Sequence, residues 1–256
     1  MALTAVITGS ASGIGAAVRA RLEKAGDMVM GIDIVDAEII ADLSTAEGRG
    51  VAVAGVKRRC GDAIDRLVAC AGIGPDNPSL SRIASVNYFG VVDLLDELFE
   101  SLKRGKNPAV VVISSNSAQM LTLDKDPYVR ALLEHDESEA RRIIEEAGDS
   151  ALAYIGSKNA VAQAVRWRAM TWGNAGVRLN AVAPGNTRTP MLQRMLDQPV
   201  YGRRIRALPS PLGRDAEPEE IAAVVAFLLG PEASYIHGAV YYVDGGIDAA
   251  LRPDGF

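Results

Sequence analysis

Ala5-Val6-Ile7-Thr8-Gly9-Ser10-Ala11-Ser12-Gly13-Ile14-Gly15 joins a short apolar run to an alanine-rich amphipathic segment through a turn holding three glycines. A strand, a glycine turn and a helix in that order bring bare backbone close to a pyrophosphate, and the amides that open the helix face its negative charge. The spacing departs from G-x-G-x-x-G, so the strand before the turn and the helix after it carry the reading. Gly9, Ser12, Gly13, Ile14 and Gly15 are therefore candidate cofactor-binding residues.

The same alternation continues along the chain. Apolar, β-rich runs are expected as strands at Ala5 to Thr8, Met28 to Asp33, Ile39 to Asp42, Arg66 to Cys70, Ala109 to Ser114, Val177 to Ala183 and Val240 to Val243. Helical patterns fall between them at Ile14 to Ala25, Thr45 to Arg58, Leu80 to Lys103, Ala153 to Trp172 and Pro218 to Leu229. Strands separated by helix-length segments imply parallel crossovers, hence an α/β fold: a doubly wound, Rossmann-type, mostly parallel sheet of about seven strands with helices on both faces. At 256 residues and 48% hydrophobic composition, one domain with one large core is expected. Gln119 to Asp149 stands apart as one or two extra helices, with helical spacing at Leu132, Leu133, Ala140, Ile143, Ile144 and Ala147.

Charge and composition narrow the partner. The net charge of -5 mixes 27 basic with 32 acidic residues and shows no long single-sign block, which argues against nucleic acid and an anionic membrane surface. A small molecule is the expected partner. No basic leader or cleavable apolar segment precedes the first strand, and the longest apolar run, Ile221 to Leu229, is too short to span a bilayer; a cytoplasmic protein is expected. Cys60 and Cys70 form no metal or redox spacing, so no metal is expected.

In doubly wound sheets ligands bind beyond the carboxyl ends of the strands, where several polar groups of this sequence fall. Asp33 ends the second strand, where a carboxylate can accept both ribose hydroxyls of an adenosine half. A 2′-phosphate placed there would meet like charge, and neither residues 9 to 12 nor residue 34 is basic, so NAD(H) is expected over NADP(H). Asp42 and Leu43 follow the third strand and can hold and cover an adenine. Ala71 and Gly72 end the fourth strand, and Pro184-Gly185-Asn186-Thr187-Arg188-Thr189 the sixth, with Pro184, Gly185, Thr187 and Thr189 expected around the nicotinamide.

Tyr154 and Lys158 lie four residues apart on one helix face, and Ser114-Ser115 ends the fifth strand. Moving a hydride between a secondary alcohol and a nicotinamide forces a proton onto or off the same oxygen, which requires an acid/base within hydrogen-bond reach. Tyr154 is the candidate, and the nearby Lys158 charge is expected to favour its phenolate and to reach the nicotinamide ribose. Ser115 would donate to the substrate oxygen.

With these pieces in order, the chain resembles the short-chain dehydrogenase/reductase family from Thr8 to Gly246. The glycine turn matches Thr8 to Gly15, the active-site serine Ser115 rather than Ser114, and the Tyr-x-x-x-Lys motif Tyr154 and Lys158. The helix asparagine matches Asn87, the Pro-Gly segment Pro184-Gly185, and the terminal Asp-Gly-Gly Asp244-Gly245-Gly246. The resemblance implies Ser115, Tyr154, Lys158 and Asn87 as the catalytic set. For Asn87 two readings stay open: a buried amide satisfying backbone groups, or a link in a water-mediated proton path to Lys158. One departure is local: many members carry Asn-Asn-Ala-Gly where this chain has Ala69-Cys70-Ala71-Gly72.

Within the family the chain looks most like the bacterial 3α-hydroxysteroid dehydrogenase/carbonyl reductases. That likeness rests on Gly31 to Ile34, Ile40 to Gly48, Ser85 to Gly90, Gly156 to Ala160, Val243 to Ala249 and the long insertion before Tyr154. It implies an NAD-dependent oxidoreductase acting on a 3α-hydroxysteroid or carbonyl substrate. Aromatic alcohol (coniferyl-alcohol-like) or dihydrodiol dehydrogenation remains an alternative, as does a catalytically silent nucleotide-sensing regulator. Met191, Leu192, Met195, Leu196, Pro199 and Val200 read either as a lid over an apolar ligand or as the buried face of a short helix. The insertion lies beside a helix that such enzymes use for assembly, so a homodimer is expected over a tetramer.

Overall fold

The computed structural model describes residues 2–208 and 210–255. In chain order the elements are β1 (Thr4–Thr8), α1 (Gly13–Lys24), β2 (Met28–Asp33), β3 (Ile39–Ile40), α2 (Ala46–Cys60), β4 (Arg66–Ala69), α3 (Leu80–Ala84), α4 (Gly90–Lys103) and β5 (Ala109–Ile113). They continue as α5 (Pro127–Leu133), α6 (Glu137–Ala147), α7 (Ser150–Asn174), β6 (Arg178–Pro184), α8 (Pro190–Asp197), α9 (Pro199–Ala207), α10 (Pro218–Leu229), β7 (Val240–Val243) and α11 (Ile247–Leu251). All seven strands join one parallel sheet in the order β3-β2-β1-β4-β5-β6-β7.

Side-chain alternation along the strands sorts the helices onto two faces. Val6, Leu67, Val110, Val112 and Leu179 point into the core shared with α2, α4 and α7. Ala5, Ile7, Val68, Val111 and Val182 point the other way, against Val18 and Leu22 of α1 and Ile221 and Val225 of α10. Burying one such aliphatic side chain is worth about 1.5–3 kcal/mol, so a one-residue slip of any central strand would expose a whole row.

The helices begin where the sequence provides caps. Thr45 accepts from the Gly48 amide at the start of α2, and Asp149 accepts from the amides of Ala151 and Leu152 at the start of α7. Asp126 and Thr189 do the same before Pro127 and Pro190. Glu217 and Glu220 form a capping box around Pro218.

Two expectations are refined. The single helix expected over Leu80 to Lys103 is α3, a wide π turn at Ser85–Phe89, and α4. Such turns occur mostly as one-turn bulges and frequently near functional sites. The strand expected to reach Asp42 pairs only at Ile39 and Ile40, because Asp42 turns to bond the Ser44 amide. The insertion folds as α5 and α6, packed on α3 and α7. Arg49, buried on α2, ties α6 down through Glu137 Oε2 at 2.5 Å and pairs with Asp93 Oδ2 on α4 at 2.6 Å. No helix among the described residues is long and apolar enough to cross a membrane.

Candidate active site

β1 is flanked by β2 on one side and β4 on the other: the chain runs from β1 through α1 outward to β2 and β3, then crosses back through α2 to β4. That reversal opens a crevice at the carboxyl ends of the strands, and a cavity of about 520 Å³ occupies it, within the size range of ligand sites.

The floor of the crevice is built by close backbone approach. Gly9 takes a left-handed conformation at φ +69°, and a Cβ there would stand 2.8 Å from Ala71 Cα. Thr8 Oγ1 accepts from the amides of Cys70 and Ala71, each at 3.0 Å, so the ends of β1 and β4 are tied across the crevice. At the other side Gly185 lies against the end of β7, where a Cβ would come within 2.7 Å of Asp244 Cα. Asp244 in turn accepts from the amides of Gly246 and Asp248, which explains the Asp-Gly-Gly following β7.

Gly9, Ser12, Gly13, Ile14, Gly15, Asp33, Asp42, Leu43, Ala71, Gly72, Tyr154, Lys158, Pro184, Gly185, Thr187 and Thr189 all line this one cavity, as does Ser115. The Asp33 carboxylate is oriented by the Ala11 amide at 3.0 Å and the Ile34 amide at 2.7 Å. Arg19 does not line the cavity: its guanidinium forks onto Glu38 and also bonds Glu23. Burial opposes ionisation of Asp42, yet bonds from Ser44 and the Arg82 guanidinium hold its carboxyl below the usual range.

At the opposite end, Ser115 and Tyr154 are neighbours in the cavity, close enough for the serine hydroxyl to act on the phenol. Ser115 Oγ accepts from the Ser117 amide at 3.2 Å and the Ser117 hydroxyl at 2.9 Å, which leaves its own proton free to point at Tyr154 or at a ligand oxygen. Ser114 is differently employed. Its hydroxyl donates 2.8 Å to the Lys158 carbonyl and so fastens the end of β5 to α7. Lys158 Nζ donates to the Ile113 carbonyl at 2.9 Å, keeping two hydrogens for other partners.

Burial runs against the expectation for Tyr154: it raises the hydroxyl above the ordinary value, outweighing the opposite influence of Ser115, and the Asp76 charge adds to the rise. Burial also lowers the Lys158 ammonium to about 8 and pushes the Cys70 thiol up to about 12. In this arrangement the phenol is held protonated.

Asn87 sits on the wide turn, fully buried, and does not line the cavity. Its amide forms a reciprocal pair with Ile73, accepting from the Ile73 amide at 2.8 Å and donating to its carbonyl at 3.0 Å. Asn87 Oδ1 and Lys158 Nζ each lie 3.3 Å from the point where a Cβ on Gly72 would stand. The backbone-satisfying reading is thus realised directly, with Lys158 close by.

Sequence reasoning did not single out Arg82, Met120, Ile155, Tyr201, Arg204 or Ile205, which also line the cavity. Tyr201 and Ile205 had a signal: a proline at 199 opening a helix, then two side chains one turn apart. Met191, Leu192 and Met195 line it from α8, so the segment is a short helix that also forms the cavity wall.

Comparison with known proteins agrees with this geometry. The chain is 54% identical over 253 residues to the 3-alpha-hydroxysteroid dehydrogenase/carbonyl reductase of Comamonas testosteroni, covering 98% of each. It belongs to the short-chain dehydrogenase/reductase family. The family description "short chain dehydrogenase" matches residues 3–129, and "Enoyl-(Acyl carrier protein) reductase" matches residues 139–248. Among solved short-chain dehydrogenase/reductases, the 3-alpha-hydroxysteroid dehydrogenase from Pseudomonas sp. B-0831 complexed with NADH superposes with a TM-score of 0.97 at 49% identity, covering 99% of this chain and 100% of that one. The aldohexose dehydrogenase of Thermoplasma acidophilum has a TM-score of 0.76 at 26% identity, covering 100% and 96%.

Proposed function

We propose that the protein is an NAD(H)-dependent oxidoreductase that interconverts a secondary alcohol and a ketone, with an apolar 3α-hydroxysteroid or carbonyl compound as substrate. The observation that carries this reading is that Ser115, Tyr154 and Lys158 line the same cavity as the glycine turn and Asp33. The glycine turn fits a pyrophosphate, since a side chain at Gly9 would collide with Ala71. Asp33 fits two ribose hydroxyls and repels a 2′-phosphate, with Arg19 already engaged by Glu38. The Comamonas and Pseudomonas relatives, named for steroid oxidoreduction and in one case complexed with NADH, support the same reading.

When bound, the nicotinamide would supply or accept the hydride. Tyr154 moves the accompanying proton at its hydroxyl oxygen, giving it to a carbonyl during reduction and taking it from an alcohol during oxidation. Ser115 donates to the same substrate oxygen and stabilises the charge that develops there. Lys158 would hold the nicotinamide ribose with its two remaining N–H groups, and its positive charge would favour loss of the Tyr154 proton during oxidation against the rise that burial imposes. Asn87 holds the Ile73 backbone and, through it, the wall beside Gly72. Met120, Ile155, Met191 and Met195 offer an adaptable apolar wall.

The test is nicotinamide absorbance during incubation with steroids, aromatic alcohols and small ketones, using both cofactors. Turnover of a 3α-hydroxysteroid with NAD, reduced by about 10²–10⁴-fold in Tyr154→Phe, is the expected result. Cofactor binding without turnover of any member would refute the enzymatic reading in favour of a nucleotide sensor.

The insertion also bears on assembly. α5 and α6 cover α3 and part of α7, and a homodimer through other surfaces follows, with a cytoplasmic location that the free thiols Cys60 and Cys70 suit. A tetramer by light scattering would contradict the dimer.

A further inference from the structure

Glu137 opens α6 with a carboxylate that the proposed chemistry does not use. Its Oε2 accepts from Nη2 of the buried Arg49 at 2.5 Å, and its Oε1 accepts from the Ser85 hydroxyl at 2.6 Å. Ser85 is 1% exposed and is the first residue of the wide turn Ser85–Phe89. A hydroxyl donating to a carboxylate makes one of the stronger hydrogen bonds in a protein, so this contact fixes the start of the turn. The insertion meets the far end too. His135, in the link between α5 and α6, packs its ring edge-on against Phe89, with 5.3 Å between centroids.

Between those two ends the turn carries Asn87. Besides its pair with Ile73, Asn87 Nδ2 donates to Ser157 Oγ at 3.3 Å, and the Ser157 hydroxyl donates to the Tyr154 carbonyl at 2.7 Å. The turn is therefore bonded to the stretch of α7 that lies between Tyr154 and Lys158. α5 meets the same stretch. Tyr128 is fully buried and donates its hydroxyl to the Ala153 carbonyl at 3.1 Å, and its ring lies so near Gly156 that a Cβ there would stand 2.9 Å from two ring carbons. Glycine within a helix is unfavourable, and here it lets the ring reach the backbone of α7.

We propose that the insertion is a brace for the acid/base end of the cavity, with Glu137 as its positioning residue: by holding Ser85 it fixes the wide turn from which Asn87 holds Ile73 and Ser157, and with them the setting of Gly72 and Lys158. The inference rests on the oxidoreductase reading above. Glu137, Ser85 and Tyr128 do not line the cavity, so each acts through another residue, whereas Val86 on the turn and Ile73 beside it do line it. Arg49, tied also to Asp93 on α4, holds Glu137 against the body of the protein. A displacement of about 1 Å at a reacting group can cost about 10²-fold in rate, so a loosened turn is read in turnover even where the fold survives.

Rate and stability measured on the same variants separate this role from a merely structural one. Ser85→Ala deletes the link and leaves Glu137 on Arg49, so Tm should fall only slightly, while kcat falls by roughly 5–50-fold and NADH, titrated by its fluorescence, binds roughly 3–10-fold more weakly. Glu137→Gln weakens the Arg49 pairing but can bond the Ser85 hydroxyl whichever way its amide turns. It should therefore melt below Ser85→Ala and yet recover most of the kcat that Glu137→Ala loses. Ser85→Ala combined with Asn87→Ala should be no slower than Asn87→Ala alone, because the first acts through the second. The proposal is overturned if Ser85→Ala keeps kcat and NADH affinity within about twofold of wild type, if kcat follows the same order as Tm across the variants, or if the double variant loses the product of the two single losses. Where Glu137→Ala or Asn87→Ala fails to fold, Ser85→Ala and Glu137→Gln decide. If wild type oxidises no alcohol, the proposed function fails on its own, and the NADH titration of Ser85→Ala still decides the brace.

Discussion

Ser114 and Ser115 are adjacent, both buried, and both follow the same strand, yet replacing each by alanine should separate stability from rate. Ser114 is 3% exposed and its side chain makes a 2.8 Å donation to the Lys158 carbonyl. That carbonyl keeps its bond within α7, since the helix runs on to Asn174, so Ser114→Ala removes one neutral hydrogen bond without orphaning an acceptor. The expected cost is about 1 kcal/mol, or about 2–4 °C in Tm for a chain of this size. Ser115 differs because Ser117 fills its lone pairs and leaves its proton to face Tyr154 and a substrate oxygen. Losing a donor aimed at developing charge costs about 10²–10³ in kcat, equivalent to about 2.7–4 kcal/mol. Thermal melts and kcat/KM for the alcohol that wild type oxidises, measured on both variants, make the comparison. If Ser114→Ala loses as much activity as Ser115→Ala, or Ser115→Ala stays within about threefold of wild type, the assignment of the two hydroxyls is wrong.

Lys158 offers a pH test. Burial lowers its ammonium to about 8 from the ordinary 10.5, so between those values the unfolded chain binds more protons than the folded one and stability rises with pH. Wild type should therefore gain on Lys158→Met in denaturant midpoint as pH climbs through that window; a constant difference contradicts the buried-charge account. Arg49→Ala strands the partly buried Asp93 and Glu137 carboxylates and should cost about 3 kcal/mol, with early proteolysis in Glu137–Ala147. A denaturation midpoint within experimental error of wild type would show that the insertion does not depend on that arginine.

The sheet was legible because its strands are nearly continuous apolar runs, and a parallel sheet buried on both faces requires that. The cavity was legible because strand ends in this topology converge, so Asp33, Asp42, Gly72, Ser115 and Pro184, though far apart in sequence, were placed by topology alone. What stayed hidden depends on contacts between distant side chains. No local pattern says that Asp76 meets Arg194, that Ser114 bonds a helix carbonyl, or that Arg82 pairs with Asp42. The rise at Tyr154 was hidden for the same reason. A Tyr-x-x-x-Lys spacing announces a neighbouring lysine but not the burial that sets the direction at Tyr154. The wide turn at Ser85–Phe89 escaped because a helix with one extra residue keeps its apolar periodicity on either side of the bulge.

That turn makes the stretch before α4 unforgiving of length change. Removing any one residue from Ser85–Phe89 would restore ordinary helical winding and keep α3 and α4 nearly in phase, because the bulge absorbs its extra residue within one turn. Leu94, Leu95 and Leu98 would hold their places in the core, and what would be lost is the widened backbone from which Asn87 meets Ile73. The count of residues here is as much a part of the site as their chemistry.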